Sequence, residues 1–354
     1  MLSPDVLLDV SHLGEVITRH LEGYQPMPES VRMMIYRSVL RHLDSRMIIE
    51  DPLTALKPLA TSASSFPLPE MDCMPLLDHY VEAVREKGLG PYFSRIIGLF
   101  GHIMLQLSGS ERQNQQVAQW VSAGSTGAFL MTDSGGPSLH QWRSQIVNDS
   151  QECPFIQLDK EWGIGAMDCA FAIVILSRPG QMVPQAWLLP PEACAQLQRT
   201  PIGAAWLDGN VQLGNCQGTF KGDSDWSLRR GGLMAVKQFL TYVRPRFVAS
   251  LMQHLYWLEQ QKRLAPESQQ QEAREYLVSV TRTLASQQSF NRYSEDEVMA
   301  LKFTSNALLF DLVEQQRVTS LSDQRDLLGF TKMEGSSYRC LMEICQRHRV
   351  GHYV

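Results

Sequence analysis

The chain has 354 residues, 44 % of them hydrophobic, and a formal net charge of -5. That length suits about two or three domains with a sizeable buried core, which argues against global disorder. The charge balance argues against a nucleic-acid protein, and no apolar run reaches the length of a membrane span.

The first residues, "MLSPDVLLDVSHLGE", carry Asp5, Asp9 and Glu15 and no basic start, unlike a secretory signal. Cysteines 73, 153, 169, 194, 216, 340 and 345 are scattered, with no CxxC. That pattern suits a reducing cytoplasm and signals no metal site.

Residues 1 to about 120 read as helical. "DVLLDVSHLGEVITRHLEGY" and "VRMMIYRSVLRHLDSRMI" place apolar residues three and four apart. "MPLLDHYVEAVREKG" stops at Gly88, "YFSRIIGLFGHIMLQLSG" reads as a nearly buried helix, and Ser110 is a candidate cap for "SERQNQQVAQWVSAG". "TSASSFPLPEMD" is a loop by composition.

The texture changes near residue 127. "AFLMTD", "FIQLDKEWGI", "CAFAIVILS", "AWLLP" and "NVQLGNCQGTFKG" are short and separated by Gly, Pro, Asn and Asp, which predicts strands of one antiparallel β-domain. Helical periodicity returns from Trp226, with Pro245 expected to kink one long helix or divide two. Pro266 is expected in the first turn of the next helix, and Ser294 and Glu297 form a capping-box pattern for the one after it. A last helix is expected over about 336–349.

Three segments, in this order, resemble the acyl-CoA dehydrogenase superfamily: "GSERQNQQVAQWVSAGSTGAFLMTDSGGPS", "FIQLDKEWGIGAMDCAFAIVILS", and "EVMALKFTSNALLFDLVEQQ" followed by "DLLGF". The resemblance implies an α+β chain with an N-terminal helical domain (1–126), a middle antiparallel β-barrel-like domain (127–222) and a C-terminal four-helix bundle (223–354). It further implies a homodimer or a tetramer of dimers, FAD bound between β-domain and bundle, and an acyl thioester substrate. In that family a glutamate removes the α proton while the flavin takes hydride from the β carbon.

By the same resemblance Thr132 contacts the flavin's pyrimidine edge and Trp162 stacks over the ring system. Gly165 stands where the family carries a flavin-binding hydroxyl, and Ser138 where a turn serine meets the phosphopantetheine or phosphate region. Taken alone, these residues equally fit a capped strand end, a packed tryptophan and a plain loop. The family's R-x-x-F-G segment, whose Arg reaches the neighbouring subunit's pyrophosphate, is replaced by "EQQKRLAPESQQQ", with Lys262 and Arg263 as candidate positive groups. Lys302 matches a recurrent lysine expected to tie the bundle to a neighbouring subunit, and Arg229-Arg230 is either a thioester-carrier contact or a solvated pair.

The family's base is the Glu of an E-G-T segment after the last-but-one helix or, in a minority, a Glu just before an Arg of the long helix. The C-terminal "EICQRHRVGHYV" holds no E-G-T, and Pro245 precedes Arg246, so the sequence predicts a divergent member without the usual base. Glu259, His254, His348 and His352 are the substitutes to hand, all equally consistent with solvated helix faces.

The sequence supports two main functional readings. One is a flavoprotein oxidising an acyl-CoA or acyl carrier protein thioester between its α and β carbons. The other is a non-catalytic subunit, or a thioester-binding chain without FAD, that partners a catalytic paralogue. A third reading keeps the thioester pocket for a redox-neutral reaction.

Overall fold

The computed structural model describes residues 10–42, 66–136, 139–148, 154–181, 184–228, 232–291 and 293–350. In chain order it begins with α1 (Val10–Glu22), α2 (Glu29–His42), β1 (Phe66–Pro67), α3 (Met74–Lys87), α4 (Phe93–Ser108) and α5 (Glu111–Ser122). Next comes a strand block: β2 (Gly127–Leu130), β3 (Gln145–Asn148), β4 (Phe155–Ile164), β5 (Phe171–Leu176), β6 (Gln185–Leu189), the one-turn α6 (Pro191–Cys194), β7 (Gln198–Pro201) and β8 (Leu213–Lys221). The rest is α7 (Gly232–Gln260), α8 (Ser268–Ala285), β9 (Ser289–Phe290), α9 (Ser294–Glu314), α10 (Leu321–Phe330) and α11 (Ser337–Val350). These residues form two compact units, Glu70–Phe239 and the remainder, with the division falling inside α7.

The Glu70–Phe239 unit holds two sheets, β2-β5-β6 and β3-β4-β8-β7. The sequence predicts one antiparallel domain. The pairs are antiparallel except β2 with β5, which runs parallel from Gly127↔Phe171 to Leu130↔Val174. All six residues of β5 are buried, so it reads as an unbroken apolar run. Its Ala172, Val174 and Leu176 join Leu130, Ile156, Leu158, Trp187 and Phe220 in one apolar core. On the opposite side α4 lies against the sheet, and glycine lets it approach. A Cβ on Gly101 would stand 3.3 Å from the Ile173 side chain, and one on Gly98 3.1 Å from the Gly127 carbonyl. Ser110 caps α5 as expected, its hydroxyl accepting from the Gln113 N–H at 3.2 Å while Gln113 reaches back to the Ser110 N–H. Gly88, at φ 75°, ends α3.

The other unit is helical apart from the short β1–β9 pair. Its centre is α9, against which α1, α2, α8, α10 and α11 all pack. Apolar residues therefore ring α9 rather than forming one stripe. α7 is one long helix with Pro245 inside it, the first of the two expected alternatives. Two local expectations change here. Pro266 falls before the Glu267 cap of α8, outside its first turn. The Ser294 capping box does not form: the Ser294 hydroxyl instead accepts from the Asn291 N–H at 2.9 Å, and Tyr293 occupies the cap position of α9. α11 spans Ser337–Val350, close to the expected last helix. Among the described residues no helix is long and apolar enough to cross a membrane, and no group of three His, Cys, Asp or Glu is placed to hold a metal ion.

Candidate functional site

β2 carries its apolar side chains into the core as far as Leu130, then Met131 and Thr132 emerge and Asp133 turns back in. The Asp133 carboxylate organises the turn at the end of the strand. It accepts from the backbone N–H of Gly135 at 2.9 Å, Arg143 at 2.7 Å and Ser144 at 2.9 Å, and lies 3.4 Å from the buried Lys160 ammonium. Lys160 also donates to the Met131 carbonyl at 3.2 Å and stands 4.6 Å from the centre of the Trp142 ring. Burial works against the Asp133 charge, but the Ser144 hydroxyl, the backbone N–H groups and Lys160 outweigh it and hold the carboxyl below its ordinary range. Burial lowers the Lys160 ammonium to about 8. The turn is packed backbone on backbone: a Cβ on Gly135 would meet the Gln141 carbonyl oxygen at 1.8 Å.

This turn is fastened to β4. Glu161 donates from its backbone N–H to the Thr132 carbonyl at 3.1 Å, and Ser134 donates likewise to the Asp159 carbonyl at 3.1 Å. The pairing of β4 with β8 shifts between Lys160 and Gly163, and Trp162 takes φ 58° in that bulge. A left-handed tryptophan costs on the order of 1–3 kcal/mol, so its neighbours must over-determine it. Trp162 is 51 % exposed, and Met131, at the end of β2, 42 %. The Thr132 hydroxyl is exposed and makes no hydrogen bond among the described residues. Gly165 takes φ 73°, where a Cβ would come 3.7 Å from the Ala128 side chain. Trp162 follows Glu161, which is bonded to Thr132 just past the end of β2, whereas Gly165 lies against Ala128 near the start of that strand. Ser138 and Arg229-Arg230 lie outside the described residues.

These residues fit the edge of a flavin ring: an exposed aromatic face, an unengaged hydroxyl and a short apolar patch, which together favour a flat ligand with polar edges. The missing hydroxyl at Gly165 has a conformational cause, because φ 73° would strain any serine or threonine there. The candidate pyrophosphate groups fit less well. The Arg263 guanidinium is committed to Asp323, at 2.8 Å from Nε, and lies over the Trp257 ring at 5.3 Å. Lys262 is exposed in a turn at φ 58°.

The helical unit holds a residue that the sequence-based expectations leave out. The stretch containing "DLLGF" is a helix, α10, capped by the Ser320 hydroxyl, which accepts from the Asp323 N–H at 3.0 Å. α10 is therefore the last-but-one helix, and the segment after it reads Glu334-Gly335-Ser336. That segment differs from E-G-T only in Ser for Thr, and the expectation of a chain without the glutamate passes over it. The signal in the sequence is the E-G-S triplet itself. The triplet follows the last-but-one helix only because the short α10 is itself a helix.

Glu334 and Gly335 adopt φ 54° and 114°, two successive left-handed residues that turn the chain into α11. Arg244 on α7 donates from Nε to the Glu334 carbonyl at 3.1 Å; its Nη1 is buried without a partner among the described residues. Burial raises the Glu334 carboxyl above its ordinary range, while Arg244 and Lys302 pull it down. Arg246, two residues on, faces elsewhere: it donates to the Tyr242 and Ala285 carbonyls, each at 3.1 Å. Lys302 does not reach outward toward a neighbouring subunit. It is fully buried, donating to the Phe330 carbonyl at 3.1 Å and to the Asn306 side chain. Of the substitutes, Glu259 is paired with Arg274 at 2.5 Å and His254 is buried against the Trp257 ring at 5.5 Å. The His348 side chain and His352 lie outside the described residues.

No model of a protein family matches the sequence, and no curated protein matches it. Solved structures do. An FAD-dependent dehydrogenase aligns over 95 % of this chain and 97 % of its own at 11 % identity, with a TM-score of 0.60. A glutaryl-CoA dehydrogenase from Mycobacterium smegmatis aligns over 96 % and 92 % at 12 % identity, with a TM-score of 0.58. The prolyl acyl carrier protein oxidase AnaB aligns over 96 % and 98 % at 10 % identity, with a TM-score of 0.56. At such identities the likeness speaks for the path of the chain: this protein has the acyl-CoA dehydrogenase fold.

Proposed function

We propose that this protein is a flavoprotein that oxidises an acyl thioester, borne by coenzyme A or an acyl carrier protein, between its α and β carbons. The observation that carries the reading is Glu334. It stands in the loop after the last-but-one helix, its carbonyl pinned by Arg244 and its carboxyl raised by burial. A carboxylate with a raised pKa is a stronger base, and a positioned general base contributes about 10² to 10⁴ in rate. Glu334 takes the α proton. Bound FAD would supply the acceptor for the β hydride. Thr132 offers its hydroxyl and Trp162 its ring face to the flavin edge, and Gly165 keeps the neighbouring backbone free of a side chain.

The neighbours in structure include glutaryl-CoA dehydrogenase and an acyl carrier protein oxidase, which supports either thioester carrier. The test is the absorption spectrum of protein purified after expression with added riboflavin. Flavin bands that bleach anaerobically with acyl thioesters support the reading, and a spectrum without them overturns it.

A non-catalytic subunit without FAD is the second reading. It is favoured by the commitment of Arg263 to Asp323, which leaves the pyrophosphate without that cation. A flavin-free chain that co-purifies with a flavin-bearing paralogue would support it.

A further inference from the structure

Side chains of α7 and α9 hold carbonyl oxygens at the end of α10 and in the loop that leads to α11. Lys302 Nζ donates to Phe330 at 3.1 Å. Asn306 Nδ2 donates to Thr331 at 3.2 Å and to Gly335 at 3.3 Å. Arg244 takes the Glu334 carbonyl. Lys302 and Asn306 are four residues apart on α9 and therefore share a face, where the Lys302 ammonium also donates to the Asn306 amide oxygen. Both are wholly buried, and the aromatic face of Phe247 lies 5.1 Å from the ammonium.

A lysine without a carboxylate bonded to it is an expensive residue to bury. A leucine or methionine would fill the same space in α9 without that cost, so packing does not account for Lys302. Its hydrogen bonds do: one ends on the Phe330 carbonyl, where α10 gives way to the Glu334 loop, and the other on the asparagine that grips that loop. The loop needs such restraint, since a left-handed glutamate is strained unless the surroundings fix it.

We propose that Lys302 and Asn306 are positioning residues for Glu334, fixing its loop through the Phe330, Thr331 and Gly335 carbonyls. The other ionisable groups around this pair are Arg244 on α7 and the Cys340 thiol on α11, itself raised by burial and flanked by Arg339 and Glu343. Lys302, lowered to about 7 by burial, changes its charge close to neutrality, so its downward pull on the Glu334 carboxyl weakens as pH rises. The catalytic half of the proposal rests on Glu334 being the base.

The test uses the full-length protein with Lys302→Met and Asn306→Leu, and Lys332→Met as an exposed control. Glutamate carbons are labelled with ¹³C, and the Glu334 resonance is assigned by its loss in Glu334→Gln. The Glu334 midpoint is expected to move to higher pH in Lys302→Met and to stay put in the control. In both clamp variants kcat for thioester oxidation should fall about tenfold to a hundredfold, with KM within about twofold. If Lys302→Met does not fold, Lys302→Gln keeps a donor without charge and gives the same titration. An unmoved Glu334 midpoint overturns the proposal. A Glu334→Gln variant that retains full activity overturns instead the role of Glu334 as base and leaves the titration to judge the clamp.

Discussion

Arg244 and Glu334 are 90 residues apart in sequence, and in the fold the guanidinium Nε of one donates to the carbonyl of the other at 3.1 Å. The bond fixes the backbone of Glu334 rather than its carboxylate. Arg244 thereby serves two purposes: it braces a left-handed residue and its positive charge opposes the rise that burial gives the Glu334 carboxyl.

Glu334→Gln should keep the fold and any bound flavin while lowering thioester oxidation by about 10² or more, the general-base share of the rate. Steady-state rates with an acyl-CoA, beside the flavin absorbance of the same sample, separate the two. Activity near that of the unaltered protein would remove Glu334 from the mechanism.

Gly335→Ala should destabilise the protein by about 1–3 kcal/mol. Gly335 sits at φ 114°, and an added Cβ would approach the Cys340 sulfur to 3.0 Å. Urea denaturation should show an earlier midpoint; an unchanged midpoint would mean the loop adopts another conformation.

Asp133→Ala should cost about 3–5 kcal/mol, because it leaves the buried Lys160 ammonium and three backbone N–H groups without their acceptor. The pH dependence has a definite sign. The Asp133 carboxyl is held below its value of 3.8 in a free chain, so its stabilisation is present above that value and is lost as pH falls through the lower folded one. Acid unfolding should therefore begin at higher pH in Asp133→Ala than in the unaltered protein, as read by circular dichroism.

Lys302 gives a slope of the same sign in a higher pH window. Its ammonium titrates at about 7 in the folded protein and at 10.5 in a free chain, so between these values the unfolded chain binds the extra proton. Its contribution to stability accordingly rises with pH across that window and is flat below it. Subtracting the denaturation free energies of Lys302→Met from those of the unaltered protein should expose this slope. A difference independent of pH would show that Lys302 titrates in the folded protein as it does in a free chain.

Trp162→Gly removes a left-handed strain and an exposed ring, so thermal stability should hold or rise slightly. If the ring covers a flavin, the same variant should purify with less of it. A drop of several degrees in the thermal transition with unchanged flavin content would make Trp162 a packing residue only.

Elements with local patterns are legible in the amino-acid order alone. Apolar spacing marks α1, α2 and α3, Ser110 and Gly88 mark helix ends, and the all-apolar run of β5 marks a buried strand. The turn at Thr132 and the aromatic at Trp162 are legible because strand, turn and strand are neighbours in the chain. Features that depend on distant partners emerge only on folding. α10 is ten residues long and has a mixed pattern, since α9 covers it on one side, and the position of Glu334 is hidden with it. Ser294 pairs with Asn291 in place of the capping box, and Lys302 turns inward to the Phe330 carbonyl. The physical reason is common to these cases. A buried polar group must find a partner, and sequence shows which groups need one but not which distant carbonyl the folded chain will bring within reach.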